Sequence, residues 1–384
     1  MRHLIVLVCA IVAAVATSSC GAGAGKSLRP AGPAAAFRNV VYADLAGDED
    51  HVWALVAGRD SDERPLGIRV YERKRQSGWR AMRAVPWTTS GRGVFAIAAW
   101  RGRPCVAVPH SDAEAGDSIL CSSGGRWKSV LDVSALEDET VGSLDSHRGR
   151  LLTTTTRTRQ GTGSTTHTIR SWTGETWRQI GDPIEVRSGI AALGRTGRHR
   201  MAPDVLVETT GATPPTRSIY GFRDGRWTPV GAPIKHATIG PNVSGPVSRF
   251  RTTWVAVNEA GLTPWRFSVW RRDSPSGPWR ARTLNTGRGN AQGAVYPGNA
   301  GVWAIWVESH PRRSGALPFS ERIWAARLDD GDARPVSLHR GPSVGPGDLA
   351  VVDGAGATWA LYMSTTPSGG MALHIRTLPD DEHP

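Results

Sequence analysis

From residue 37 onward the chain alternates short apolar runs with polar breaks, and the runs recur in a fixed order. The most apolar are VWALVAG at Trp53, PCVAVP at Cys105, LLTTTT at Leu152, DVLVET at Val205, TWVAVNE at Trp254, VWAIWVE at Trp303 and TWALYMS at Trp359. Several are apolar on both faces, the pattern of strands buried between neighbouring sheets. About 25 residues after each of the first five comes a polar turn followed by tryptophan and a short strand: SGWRAMRAV, GRWKSVLDV, ETWRQIGDPI, GRWTPVGAPI and GPWRARTL, with the indoles at Trp79, Trp127, Trp177, Trp227 and Trp279. Between the two phrases runs an alternating strand such as IRVYER, SIYGF or RIWAAR, and ahead of the apolar run lies another, such as VVYADL or DLAVVD. The unit is four short strands in meander order, repeated about every 50 residues.

A regular period of this length signals stacked supersecondary units and not separate domains, and four-stranded units of 40 to 50 residues predict a β-propeller. Residues 37–384 accommodate seven units, the last two without the turn tryptophan. The predicted fold is all-β: one seven-bladed β-propeller of four-stranded antiparallel blades. In period and strand order the body resembles the kelch-like and sialidase-like propellers. Only Gly124-Gly125 matches the kelch glycine doublet, and Asp224-Gly225-Arg226-Trp227 is one residue short of a sialidase Asp box between its glycine and its tryptophan. The resemblance is therefore one of architecture and carries no catalytic residues over. The seventh unit lacks an outer strand, so either blade seven has three strands or Leu28 to Phe37 supplies the fourth and closes the ring.

Composition changes this picture little. Glycine (45) and proline (26) suit the many turns, and 39% hydrophobic residues suffice for a core. Sixteen tryptophans are far above ordinary usage. Five occupy the turn position and four, Trp53, Trp254, Trp303 and Trp359, the apolar strands, so most of the excess is architectural. A ring of sugar pockets, as in some lectin propellers, would instead require the turn indoles to be exposed.

The first 36 residues carry an address. Arg2 precedes an apolar run from Leu4 to Ala16, too short to span a bilayer and fitting a secretory signal over residues 1–19. Small residues ending in Cys20 resemble the lipobox of bacterial lipoproteins, which implies a lipidated Cys20, although Thr17 replaces the usual aliphatic residue; plain secretion is the alternative. The Gly/Ala/Pro stretch after Cys20, through residue 36, reads as a flexible tether of at most about 50 Å. Gly25-Lys26-Ser27 is not a phosphate loop, because Cys20 stands where the motif needs glycine. Export leaves Cys105 and Cys121, on neighbouring predicted strands, as an expected disulfide. The formal charge is +12, nearly all of it arginine and scattered, with no nucleic-acid footprint. The arginine-, alanine- and glycine-rich usage points to GC-rich coding and an actinobacterial source.

Candidate chemistry lies in the long loops between second and third strands, which in a propeller share one face with the blade-to-blade connections. Glu208, Glu259 and Glu308 occupy equivalent strand ends in units four to six, and two of them, if convergent, could serve as a glycosidase pair. The plainer reading is solvated carboxylates paired with arginines. Trp87, Trp265 and Phe319 fall on this rim as candidate ligand-stacking residues. His110, His167, His236, His310 and His339 map there too, without metal-ligand spacing. The expectation is an extracytoplasmic, membrane-anchored monomer without metal or cofactor. It would act as a binding platform for a cell-surface protein or glycan, with a surface glycosidase and a lectin-like propeller as the alternatives.

Overall fold

Each predicted unit folds as an antiparallel meander because the repeats supply alternating strands joined by turns that only certain residues accept. The computed structural model of the chain describes residues 39–59, 65–86, 95–108, 117–132, 139–159, 162–196, 204–209, 215–235, 245–249, 251–259, 264–285, 289–298, 301–311, 319–329, 335–343, 348–366 and 371–379, and all regular structure among them is strand. Blade 1 comprises Asn39–Gly47, His51–Arg59, Pro65–Lys74 and Trp79–Ala81; blade 2, Ala96–Trp100, Arg103–Val108, Ser118–Ser123 and Arg126–Asp132. Blade 3 begins with Glu139–His147, Arg150–Thr158 and Ser164–Trp172, and blade 4 with Gly189–Leu193, Asp204–Thr209 and Thr216–Arg223. Blade 5 is Val247–Arg249, Thr252–Glu259, Arg266–Arg272 and Arg280–Thr283; blade 6, Asn290–Gly298, Gly301–Pro311, Phe319–Arg327 and Val336–Ser343. Blade 7 has three strands among the described residues, Leu349–Gly354, Ala357–Thr365 and Met371–Thr377. The segment Leu28 to Phe37 lies outside the described residues.

The outer strands of blades 3 and 4 are each broken in two, Trp177–Gln179 with Ile184–Arg187 and Arg226–Pro229 with Ile234–Lys235. The sequence explains the breaks. Both carry a glycine at positive φ, Gly181 (68°) and Gly231 (75°), two residues before a proline that cannot donate to a ladder.

The blades pack face to face. Their apolar runs form inter-blade cores such as Leu206, Ile219, Val255 and Val257 between blades 4 and 5. Blade 7 packs on blade 1 through Leu45, Val52, Val351, Trp359 and Leu361, so the two ends of the repeat array meet. At that seam the indole of Trp79 meets Trp359 edge-on at 6.0 Å. Thr153, Thr154 and Thr155, the polar run of blade 3, are fully buried, and the Thr153 and Thr154 hydroxyls bond to Ser143 of the first strand. Cys105 and Cys121 are directly opposed on the second and third strands of blade 2, fully buried and joined by a disulfide.

The recurring turn tryptophan has one job in four blades. Its indole N–H donates to a backbone carbonyl just past the equivalent tryptophan of the preceding blade. The bonds run from Trp127 to Arg83 (2.8 Å), Trp177 to Val130 (2.7 Å), Trp227 to Ile180 (2.7 Å) and Trp279 to Ala232 (3.0 Å). Those carbonyls lie along outer edges, where ladder partners run out, and each net bond contributes about 1 kcal/mol beyond ring packing. Trp227 is buried and the other four turn indoles are half-buried, so each keeps part of its ring at the surface while four of the five tie neighbouring blades together.

Candidate functional site

The first strands of the blades surround the propeller axis and leave two cavities end to end, sharing Leu144 and Asp145. One of about 360 Å³ opens at the starts of these strands, on the face of the second-to-third-strand loops; it is lined by Tyr42, Asp44, Phe95, Ile190, Tyr296 and Asp348 among others. The other, about 620 Å³, opens at the tight first-to-second-strand turns and carries Asp48, Arg75, Arg249 and Asp353. The first face is here called the loop face and the second the turn face.

At the loop-face mouth, Asp44 and Asp348 come from neighbouring blades. Asp348 accepts the Ala43 N–H at 2.8 Å, and Asp44 accepts Leu45 N–H at 2.8 Å and Ile97 N–H at 3.4 Å, so each carboxylate caps a backbone donor of the next blade. Burial pushes the Asp348 carboxyl up to about 6, the Ala43 bond opposes the shift, and the charge of Asp44 adds to it. Ile190, which lines this cavity, and Val41, on the first strand of blade 1, are 51% and 46% exposed, the two exposed large hydrophobic residues among those described. Val41 is the extra residue of a β-bulge, since Val40 pairs with Gly58 and Tyr42 already with Ala57. A bulge re-aims side chains, and this one turns an apolar residue toward solvent.

The glutamates are placed differently from the solvated strand ends expected for them. Glu208 is fully buried, and Arg217, directly opposite on the third strand, donates Nε–H to its Oε2 at 2.7 Å. Arg217 also donates to the Ala256 carbonyl of blade 5, so the pair lies in the seam between blades 4 and 5. Burial pushes the Glu208 carboxyl up and the Arg217 guanidinium down, and their mutual attraction only partly offsets both shifts. Glu308 is also buried, near the Trp306 indole N–H (3.4 Å) and His310 (3.7 Å). It lies on the same strand face as Val302, Ala304 and Trp306 of the core between blades 5 and 6. Glu259 is half-buried, on the same strand face as Val255 and Val257, which pack toward blade 4. Glu208 and Glu259 thus share a seam, whereas Glu308 belongs to the next one. The cause is burial of the strand ends by the adjoining blade, which the alternation of a single strand does not reveal.

Trp265 is half-buried and anchored through its backbone: its N–H donates to Asn290 Oδ1 (2.9 Å) and its carbonyl accepts Ala291 N–H (3.1 Å). Phe319 is half-buried at the start of the third strand of blade 6. His167 is fully buried against Thr156 Oγ1 (3.0 Å), and burial pulls it down to about 4, hence neutral. His339, half-buried, is stacked 5.6 Å from the half-buried His374 and lies 3.8 Å from the buried Glu321, a cluster with Tyr362 that sequence spacing does not bring together. Trp87, His110, His236 and Cys20 lie outside the described residues. Among the described residues no group of three or more His, Cys, Asp or Glu could hold a metal.

No family model matches the chain, and no curated protein matches its sequence. Among solved structures it is similar to the Pyrococcus horikoshii acylaminoacyl peptidase, at 11% identity and a TM-score of 0.52, over 90% of this chain and 52% of that one. It also matches phage phi92 endosialidase (7% identity, TM-score 0.47, 91% of this chain and 68% of that one) and the six-bladed, fucose-recognising Aleuria aurantia lectin (13%, 0.48, 82% and 99%). Identities this low concern the fold alone.

Proposed function

We propose that the chain is an exported β-propeller, cleaved after residue 19 and lipidated on Cys20, that serves as a binding platform at the cell surface and engages a surface protein or glycan through its loop face. The observation supporting this reading is the axial cavity of about 360 Å³ that opens on this face, lined by Tyr42, Phe95, Tyr296 and the exposed Ile190 with Asp44 and Asp348 among them. Concave sites lined by apolar and aromatic side chains with a few polar groups, on a rigid scaffold, are where ligands are bound. The inter-blade indole ties and the buried Glu208–Arg217 pair supply the rigidity, leaving loop variation to set specificity.

Two measurements test the two halves of the proposal. Fractionation of cells carrying Cys20→Ala is expected to release the protein from the membrane; an unchanged distribution would refute the anchor. Cross-linking on intact cells and a glycan array, comparing the native chain with Ile190→Ser, are expected to show a captured partner lost in the variant. Equal capture by both proteins would place the binding surface elsewhere.

A further inference from the structure

On the turn face, blades 2 and 3 repeat one motif. Arg101-Gly102 and Arg148-Gly149 form the two-residue turns between first and second strands, and Arg103 and Arg150 follow directly. Both leading arginines hold positive φ, 49° and 50°, a conformation that favours Gly, Asn or Asp. The equivalent turn of blade 7 uses Ala355-Gly356 at φ 50° and 82°, so the turn itself does not require a cation.

The two turns are tied together. Trp100, buried at the end of its strand, donates its indole N–H to the Gly149 carbonyl at 2.9 Å. Its ring carries both neighbouring guanidiniums, Arg103 at 4.3 Å and Arg101 at 4.9 Å. Arg101, Arg148 and Arg150 are exposed and Arg103 half-buried. Among the described residues none of the four forms an ion pair with a carboxylate; Glu175, in the adjacent turn, is exposed and unpaired with them. The Arg103 Nε is enclosed without an acceptor, and burial followed by the charge of Arg101 holds that guanidinium below its ordinary range. Two guanidiniums are thus fixed on one aromatic platform, the turn tied to it carries Arg148 and Arg150, and among the described residues none of the four has a carboxylate partner.

We propose that these two turns form a docking surface for the phosphate groups of an anionic bilayer. Guanidinium groups bind phosphate oxygens through paired N–H donors, and basic residues held at a surface sense the anionic headgroup potential. The choice of a bilayer rests on the exported, tethered reading above. Docked this way, the protein turns the loop-face cavity lined by Tyr42, Phe95 and Ile190 away from the membrane.

The test uses unlipidated full-length chain, Cys20→Ala, so that its outcome is independent of the anchor. Co-sedimentation with phosphatidylglycerol/phosphatidylcholine vesicles is expected to show binding that is absent with phosphatidylcholine alone and weakens with salt. Arg101→Gln/Arg148→Gln/Arg150→Gln, all at exposed positions, is expected to weaken binding about 100-fold, some five-fold per arginine. A control of equal charge loss on the same face, Arg223→Gln/Arg226→Gln/Arg251→Gln, is expected to change it several-fold at most. Equal losses in the two triples, absence of vesicle binding, or binding only to isolated wall polymer would each overturn the proposal. Failure of the anchor would instead appear in the cell fractionation of Cys20→Ala.

Discussion

Removing one partner of the Glu208–Arg217 pair has a consequence that depends on the tertiary structure alone. Both side chains are at 0% exposure, and the carboxylate receives Arg217 Nε–H at 2.7 Å. In Arg217→Met the carboxylate stays in the dry seam between blades 4 and 5 without its cation, and the Ala256 carbonyl loses a donor. An orphaned buried charge costs about 3–5 kcal/mol, and Glu208→Leu, which strands the guanidinium, is expected to cost about as much. The double variant Glu208→Leu/Arg217→Met replaces the pair with apolar volume and is expected to lie within about 2 kcal/mol of the native chain, giving a coupling of several kcal/mol. Burial already holds the Glu208 carboxyl above its ordinary value, and without the arginine it rises further. A raised carboxyl binds its proton more tightly folded than unfolded, so the Arg217→Met penalty shrinks as pH falls from 8 toward 5. Urea denaturation followed by tryptophan fluorescence at both pH values measures every corner of the cycle. Single-variant losses below about 1 kcal/mol, or a double variant whose loss equals the sum of the singles, would refute the reasoning.

Asp348→Asn keeps an acceptor for Ala43 N–H without the charge. With the native carboxyl near 6 and an unfolded value near 4, the native chain gains stability as pH falls through that window, by about 3 kcal/mol. The variant should therefore be the more stable at pH 8, with the gap closed by pH 4; a pH-independent difference in denaturation midpoints would contradict this. Trp227→Phe, which keeps a ring but removes the donor to Ile180, is expected to cost about 1–2 kcal/mol and Trp227→Ala about 3–5; equal losses would mean that the N–H tie contributes nothing. Cys105→Ala/Cys121→Ala, which opens a loop with a sequence separation of 16, should lower unfolding free energy by about 3 kcal/mol, checked by chemical denaturation.

Strand order, blade number and the disulfide were legible in the sequence because each is a local or periodic property. Alternation makes a strand, Gly-Pro punctuation ends it, and a period of about 50 residues counts the blades. Cys105 and Cys121 could be paired because they sit on consecutive strands of one meander, where opposition follows from register. The turn tryptophans were legible as structural, but not the destination of their N–H groups, since each acceptor lies 44 or 47 residues back, in the preceding blade.

What only the tertiary structure decided is which side chains the neighbouring blade covers. Glu208, Glu259 and Glu308 look equivalent along the chain, yet Glu208 is sealed against Arg217, Glu308 is buried in a different seam and Glu259 is half-buried. The burial of Asp348 beside Asp44, and the Trp100 tie that gathers two Arg-Gly-Arg turns, likewise join residues from different blades. Local periodicity dictates the strand and its two faces. What each face meets is set by the closure of the ring, through contacts between residues far apart in the chain.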